Sequence, residues 1–332
     1  MLDFPTSSDS LIVGTDVGDI TVWMWTGFLL AAYSVIANDS IQTLGTWIAS
    51  NKKVDWKYMW GFASTVLLFA IWYGWYAYDG SISYGRLNKI PFEGVEWYQA
   101  LAPAVLLLLT RVGIPVSTSF LVLSAFASTM VLQQVLMKSM MGYCVAGVAA
   151  YLIWLTLTRL LDEGKSIKDS NKKWWVIGQW VTTGFLWWTW LSHDMANIAV
   201  YLPRQIPVGV MFIISAVFVG GLAWMLQHRG GKIQNIVLEK KNTKYVRSAT
   251  LIDLFYFIIL YIFKEVNDIP MSTTWVFVGL LTGRELAIAS FRNKDSVKKV
   301  FPMVSKDFLK LMVGLAASVM IVLIVQYFKE MK

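Results

Sequence analysis

Two short polar stretches interrupt otherwise apolar sequence: Ala37-Asn38-Asp39-Ser40-Ile41-Gln42 and Ser192-His193-Asp194-Met195-Ala196-Asn197. Carboxylates and amide carbonyls are oxygen ligands for a hard cation. A charged residue costs about 2.5–3.5 kcal/mol at the centre of a membrane helix, so Asp39 and Asp194 are expected to face the protein interior and to have a task there. With Asn38, Gln42 and Asn197 they are candidate ligands for Na⁺; the alternative is that an Asp carries a proton. Two further stretches, Gly113-Ile114-Pro115-Val116-Ser117-Thr118-Ser119 and Ile269-Pro270-Met271-Ser272-Thr273-Thr274, put hydroxyls directly after a proline. Proline lacks an N–H and disfavours helix before it. A helix that starts there directs free N–H groups and a positive dipole end at what lies ahead, which suits an anion. Ser117, Thr118, Ser119, Ser272, Thr273 and Thr274 would add neutral donors, fit for an anion that must also leave. The plainer alternative is that these hydroxyls cap helices and that the two carboxylates tie helices together.

The four stretches are spaced alike. Asp39 precedes Pro115 by 76 positions, Asp194 precedes Pro270 by 76, and the offset between the copies is 155 throughout. Asn38 then pairs with His193, Gln42 with Asn197, Ser117 with Ser272, Thr118 with Thr273 and Ser119 with Thr274. This spacing predicts two homologous halves, 1–161 and 174–332, joined by a cytoplasmic linker at 162–173. Chains built this way commonly hold substrate between the repeats near the middle of the bilayer.

The elements that must position these residues are membrane helices. Of 332 residues 56% are hydrophobic and 15% charged, against roughly 25% charged in a soluble domain. Apolar runs of spanning length recur, and spans or half-spans are expected near 19–50, 58–78, 97–137 (a hairpin), 141–161, 174–204, 207–227, 249–291 (a hairpin) and 309–328. The opening MLDFPTSSDS lacks the basic start of a cleavable signal, so the first span is expected to stay. Loops 51–57, 162–173, 228–248 and 292–308 carry 18 Lys and Arg, and the opposite side carries 6. The positive-inside rule makes the first set cytoplasmic and puts both termini outside. Loop 228–248 is expected to serve topology and lipid-headgroup contact.

Several functions are excluded or disfavoured. The net charge of +8 sits in loops of a membrane protein, so nucleic-acid binding is discarded. The single cysteine, Cys144, rules out an internal disulfide or a cysteine metal cluster. No His pair at metal-binding spacing and no ordered nucleophile set is present, so an enzyme is not expected and no cofactor is assigned beyond bound Na⁺. Trp and Tyr clusters at Trp72–Tyr78 and Trp187–Trp190 are expected to anchor span ends at the interface. Arg284 and Glu285 are expected to pair with other buried charges.

The four motifs resemble those of the inorganic phosphate transporter (PiT) family, which carries a "GANDVANA"-like and a "GxPVSTTH"-like motif in each of two inverted halves. Here Ile36 and Ser192 stand for the opening glycine, His193 for the second Asn, and Phe120 and Trp275 for the His. The resemblance implies an all-α polytopic membrane protein of two inverted-topology repeats with broken helices, each PxST segment forming the tip of a re-entrant hairpin. It implies a secondary transporter importing inorganic phosphate with Na⁺ or H⁺ by alternating access, and a homodimer. Sulfate permeases exist among relatives of the family, so sulfate is the close alternative; a non-transporting scaffold or receptor is the rival of another class. On this reading His193 contacts the anion or relays a proton, a hydrogen-bonded structural role being the alternative. Arg111 attracts the anion or supports the first hairpin.

Overall fold

The structure, a computed structural model, describes residues 20–88, 90, 92, 94–114, 116–126, 129–161, 169–231, 234–239, 245–266, 272–292 and 294–331; Pro115 and Pro270 lie outside them. These residues form helices and connecting turns, with no strand among them. In chain order they are α1 (Val22–Ser34), a π-helical turn (Val35–Asp39), α2 (Ser40–Ser50), α3 (Trp56–Ala77), α4 (Leu101–Arg111), α5 (Thr118–Ser124), α6 (Thr129–Leu161), α7 (Asp169–Asp194), α8 (Ala196–Ala199), α9 (Val208–Gln227), α10 (Gln234–Leu238), α11 (Val246–Val266), α12 (Thr273–Arg292) and α13 (Lys294–Glu330). Among the described residues, five stretches are long and apolar enough to cross a bilayer: Gln133–Leu157, Val208–Gln227, Val246–Phe263, Thr273–Phe291 and Val297–Glu330. The protein is an integral, multi-pass membrane protein. Helices are the expected solution, because hydrocarbon offers backbone groups no partner and a helix satisfies them within one segment.

Two connections differ from the sequence expectation. The loop expected at 138–140 lies inside α6, which runs unbroken for 33 residues. Lys138 is a single charge among strong helix formers (Met137, Met140, Met141), and Lys itself favours helix. Residues 294–308 of the loop expected at 292–308 are also helical, in the 37-residue α13 that continues through Pro302. Its lysines mark the end of the apolar stretch, not the end of the helix.

The tightest crossing is between α6 and α12. A Cβ built on Gly283 would collide with the Gly147 carbonyl, and one on Gly279 with the Tyr143 carbonyl. Small residues that let backbones approach this closely are how membrane helices gain packing where lipid removes the hydrophobic drive between them. Beside this crossing, Arg284 pairs with its own neighbour Glu285 at 2.8 Å, donates to Ser248 Oγ at 2.7 Å and lies over the Trp154 ring at 5.6 Å.

The aromatic clusters divide. Tyr76 is exposed as expected of an interfacial ring, but Trp187 and Trp190 are buried and stacked at 5.1 Å. Trp187 Nε1 donates to the Ala63 carbonyl at 3.0 Å, fixing α7 to α3, so these two rings are core and not interfacial anchors. A buried indole finds a partner for its N–H, and a backbone carbonyl on the next helix supplies it. The basic loop also makes bonds within the protein. Gln234 Nε2 donates to the Gly45 carbonyl at 2.7 Å, and Arg229 Nη2 donates to the Val54 carbonyl at 2.8 Å. The first bond fastens α10 to the middle of α2, and the second fastens Arg229 to the turn after α2.

Candidate functional site

The first polar motif does not unwind the helix. Residues Val35–Asp39 form a π turn between α1 and α2, with right-handed backbone at both flanking residues. Such a turn inserts one residue into the helical ladder and is frequent at functional sites. It leaves Asn38 and Asp39 buried. The second motif ends α7 at Asp194, and a turn at Met195 leads into the single turn of α8 that carries Asn197.

The six hydroxyls after the proline positions fall into three pairs, each related by the 155-residue offset. Ser117 Oγ accepts from Phe120 N at 3.1 Å, and Ser272 Oγ accepts from Trp275 N at 3.2 Å. These two are N-caps, as the plainer alternative had it. Thr118 lies beside Asp39, and Thr273 beside Asp194. The third pair crosses between the halves. Ser119 Oγ donates to Asp194 Oδ1 at 2.9 Å, and Thr274 Oγ1 donates to the Val116 carbonyl at 3.2 Å. The start of α5 thus meets the second carboxylate, and the start of α12 meets the segment leading into α5.

The amides are used differently in the two halves. Asn38 Nδ2 donates to Asp39 Oδ1 and, at 3.1 Å, to the Val116 carbonyl; its Oδ1 accepts from Gln42 Nε2 at 3.1 Å. The amide of Asn38 is therefore engaged at both ends, and Gln42 holds it in place. Asn197 Nδ2 donates to Asp194 Oδ1 at 2.8 Å and to Ser119 Oγ at 3.1 Å. Among the described residues, three buried acceptor oxygens, Asp39 Oδ2, Asp194 Oδ2 and Asn197 Oδ1, have no donor at good hydrogen-bond geometry; the Thr118 and Thr273 hydroxyls stand beside the two carboxylates without closing such a bond to these atoms. Most buried polar atoms in folded proteins have a partner, so an orphaned set demands a reason. Two carboxylate oxygens and an amide oxygen are the ligand chemistry of a hard cation, and the residues present fit Na⁺. The carboxylates are also close enough to repel each other, and a cation between them would relieve that.

His193 sits in the second motif, but its Nε2 faces the Leu260 carbonyl at 3.0 Å. A carbonyl only accepts, so Nε2 carries the hydrogen and ties α7 to α11. Arg111 is exposed at the end of α4 and lines a cavity of about 240 Å³ with Tyr33, Ala37, Ile41 and His228; its walls include none of the six hydroxyl residues. Arg86, counted from the sequence only as a loop charge, is buried; its Nε donates to the Ser192 carbonyl at 3.2 Å and its charge acts on Asp194. No motif marks Arg86; the one cue is its place in the connection between two spans.

The described architecture is all-helical. No protein-family model matches the chain, and no curated protein matches its sequence. A solved structure of a sodium-dependent phosphate transporter matches with a TM-score of 0.61 over 92% of this chain and 98% of the other, at 15% sequence identity. The two share a fold.

Proposed function

We propose that this protein is a secondary active transporter that imports inorganic phosphate together with Na⁺ or H⁺, by alternating access between two inverted-topology repeats. The observation that carries the reading is the orphaned oxygen set of Asp39, Asp194 and Asn197 beside the hydroxyls that open α5 and α12. Caps and carboxylate-flanking threonines that recur at a single offset support the repeat. The shared fold with a sodium-dependent phosphate transporter supports the substrate and the cation.

In this reading the cation is held by Asp39 Oδ2, Asp194 Oδ2 and Asn197 Oδ1, and its charge offsets the two carboxylates that would otherwise repel the anion. The oxyanion takes the hydroxyls of Thr118, Ser119, Thr273 and Thr274 and the free N–H groups at the starts of α5 and α12. Ser117 and Ser272 hold those helix starts in shape. Asn38 and Gln42 position Asp39, and His193 braces α7. Arg86, bonded to the Ser192 carbonyl two residues before Asp194, adds positive charge beside the site, and loops 79–96 and 204–206 lie outside by the charge count. Both termini then lie outside too, and the protein works as a homodimer in contact with membrane lipid.

The test is uptake of radiolabelled phosphate into proteoliposomes, with and without a Na⁺ gradient and a pH gradient, and with sulfate as competitor. Phosphate uptake driven by one of the gradients is expected. Uptake of sulfate in its place would reassign the substrate, and uptake of neither under any gradient would overturn the transporter reading in favour of a scaffold.

A further inference from the structure

The carboxylate of Asp253 takes no part in the site above. It is 1% exposed on α11, a helix apolar enough to span the bilayer. Each of its oxygens accepts a threonine hydroxyl from a different helix: Oδ1 from Thr46 of α2, and Oδ2 from Thr183 of α7 at 2.6 Å. Among the described residues no Lys, Arg or His pairs with it. Position 98, its counterpart at the 155-residue offset, is tyrosine, so this group is not part of the duplicated site.

A carboxylate buried in a bilayer with neutral donors alone carries an uncompensated charge, and taking up a proton removes that charge. The two threonines accommodate both states. A hydroxyl donates and accepts, and a threonine within a helix has a second acceptor in the carbonyl one turn back. With Asp253 ionised, both hydroxyls donate to it and clamp α2 and α7 to α11. With Asp253 protonated, its own O–H donates to one threonine oxygen, and that threonine's hydrogen turns to its helix carbonyl. Both threonines stay bonded to Asp253, but neither bond is then to a charge, so the clamp is weaker. Two hydroxyls and one carboxylate are too few oxygens to replace an ion's hydration shell, which favours a proton over a metal ion.

A route for the proton continues along the same seam. Gln179, one turn before Thr183, donates to Ser50 Oγ at 2.6 Å and accepts from Asn51 Nδ2 at 3.0 Å. Ser50 lies one turn after Thr46, and Lys52 and Lys53 beyond it are exposed. In the other direction Tyr256, three residues after Asp253, donates to the Thr273 carbonyl at 3.1 Å.

Among the described side chains, the charged groups on the elements packed around Asp253 are Asp39 ahead of α2, His193 and Asp194 at the end of α7 with Lys172 and Lys173 near its start, and the Arg284–Glu285 pair of α12. On α11 itself the other described titratable side chains are Arg247, Tyr256 and Tyr261. None of these forms an ion pair or hydrogen bond with Asp253.

We propose that Asp253 is an intramembrane proton-binding site, reached from the 51–57 side through Gln179, Ser50 and Asn51, whose ionised form locks α2 and α7 to α11. The test needs no transported substrate, so it stands or falls apart from the phosphate reading. Infrared difference spectra of the purified protein in lipid, titrated with pH, should show a protonated carboxyl band that fades as pH rises. The band should remain in the Asp39→Asn/Asp194→Asn double variant and be lost from that variant when Asp253→Asn is added. In Thr183→Val it should persist to a pH about one unit higher, because the ionised form has lost a donor. A titrating band that survives in the triple variant overturns the proposal, as does added Na⁺ removing the band of the double variant at fixed pH. If Asp253→Asn does not fold, Thr183→Val decides alone: an unmoved midpoint overturns it.

Discussion

Replacing Ser119 by alanine removes the 2.9 Å donation to Asp194 Oδ1 and leaves that oxygen with Asn197 Nδ2 as its hydrogen-bond donor. A hydrogen bond to a charged group contributes about 1.5–3 kcal/mol, and each 1.36 kcal/mol is a factor of ten. The ionised carboxylate is weakened by that amount, so protons compete better with Na⁺ for it. The expected result is a rise of roughly ten- to hundredfold in the Na⁺ concentration that half-saturates phosphate uptake, steeper at lower pH. Ser117, two residues earlier, provides the control. Its hydroxyl caps the seven-residue α5, and Ser117→Ala should cost about 1 kcal/mol of stability with the Na⁺ dependence unchanged. The assay is labelled phosphate uptake into proteoliposomes across a Na⁺ series at two pH values, with thermal unfolding of each variant measured in parallel. If Ser119→Ala loses stability but keeps the wild-type Na⁺ curve at both pH values, the hydroxyl is a second structural group and the site reasoning fails.

Further outcomes follow from the same geometry. Asp39→Asn and Asp194→Asn should each abolish or alter the cation dependence of uptake, and wild-type ion dependence in both would end the coupling role given to them. His193→Gln keeps an N–H able to reach the Leu260 carbonyl, so uptake and its pH profile should survive; a flattened profile would make the imidazole a proton carrier instead. Gly283→Ala forces a methyl into the Gly147 carbonyl. Overpacking typically costs 1–3 kcal/mol, about the least expected where the obstacle is backbone, so Gly283→Ala should unfold at clearly lower temperature. Unchanged melting would show that α6 and α12 slide apart easily.

The membrane class and the paired motifs were legible because they rest on local chemistry: apolar length, carboxylates set in apolar sequence, and hydroxyls after proline. The division of labour among the hydroxyls was not. Ser117 and Ser119 are one residue type two positions apart, and only the three-dimensional path decides which caps a helix and which reaches Asp194. Asp253 was passed over because it stands alone in its motif-free helix, with partners 207 and 70 residues away. Trp187 and Trp190 misled for a related reason, since a tryptophan suits a core and an interface alike until its N–H partner is known. Lys138 suggested a loop because charge was read as a boundary, whereas a long helix can carry one lysine without ending.

A single backbone acceptor joins the two halves. The Val116 carbonyl receives Asn38 Nδ2 from the first motif and Thr274 Oγ1 from the start of α12. It belongs to the backbone, so no side-chain substitution at position 116 removes it. A mutational scan will therefore score Val116 by its volume alone and overlook the junction. Replacing the peptide bond by an ester between residues 116 and 117 weakens that carbonyl as an acceptor while leaving every side chain in place, and it would expose a fastening point that alanine scanning passes over.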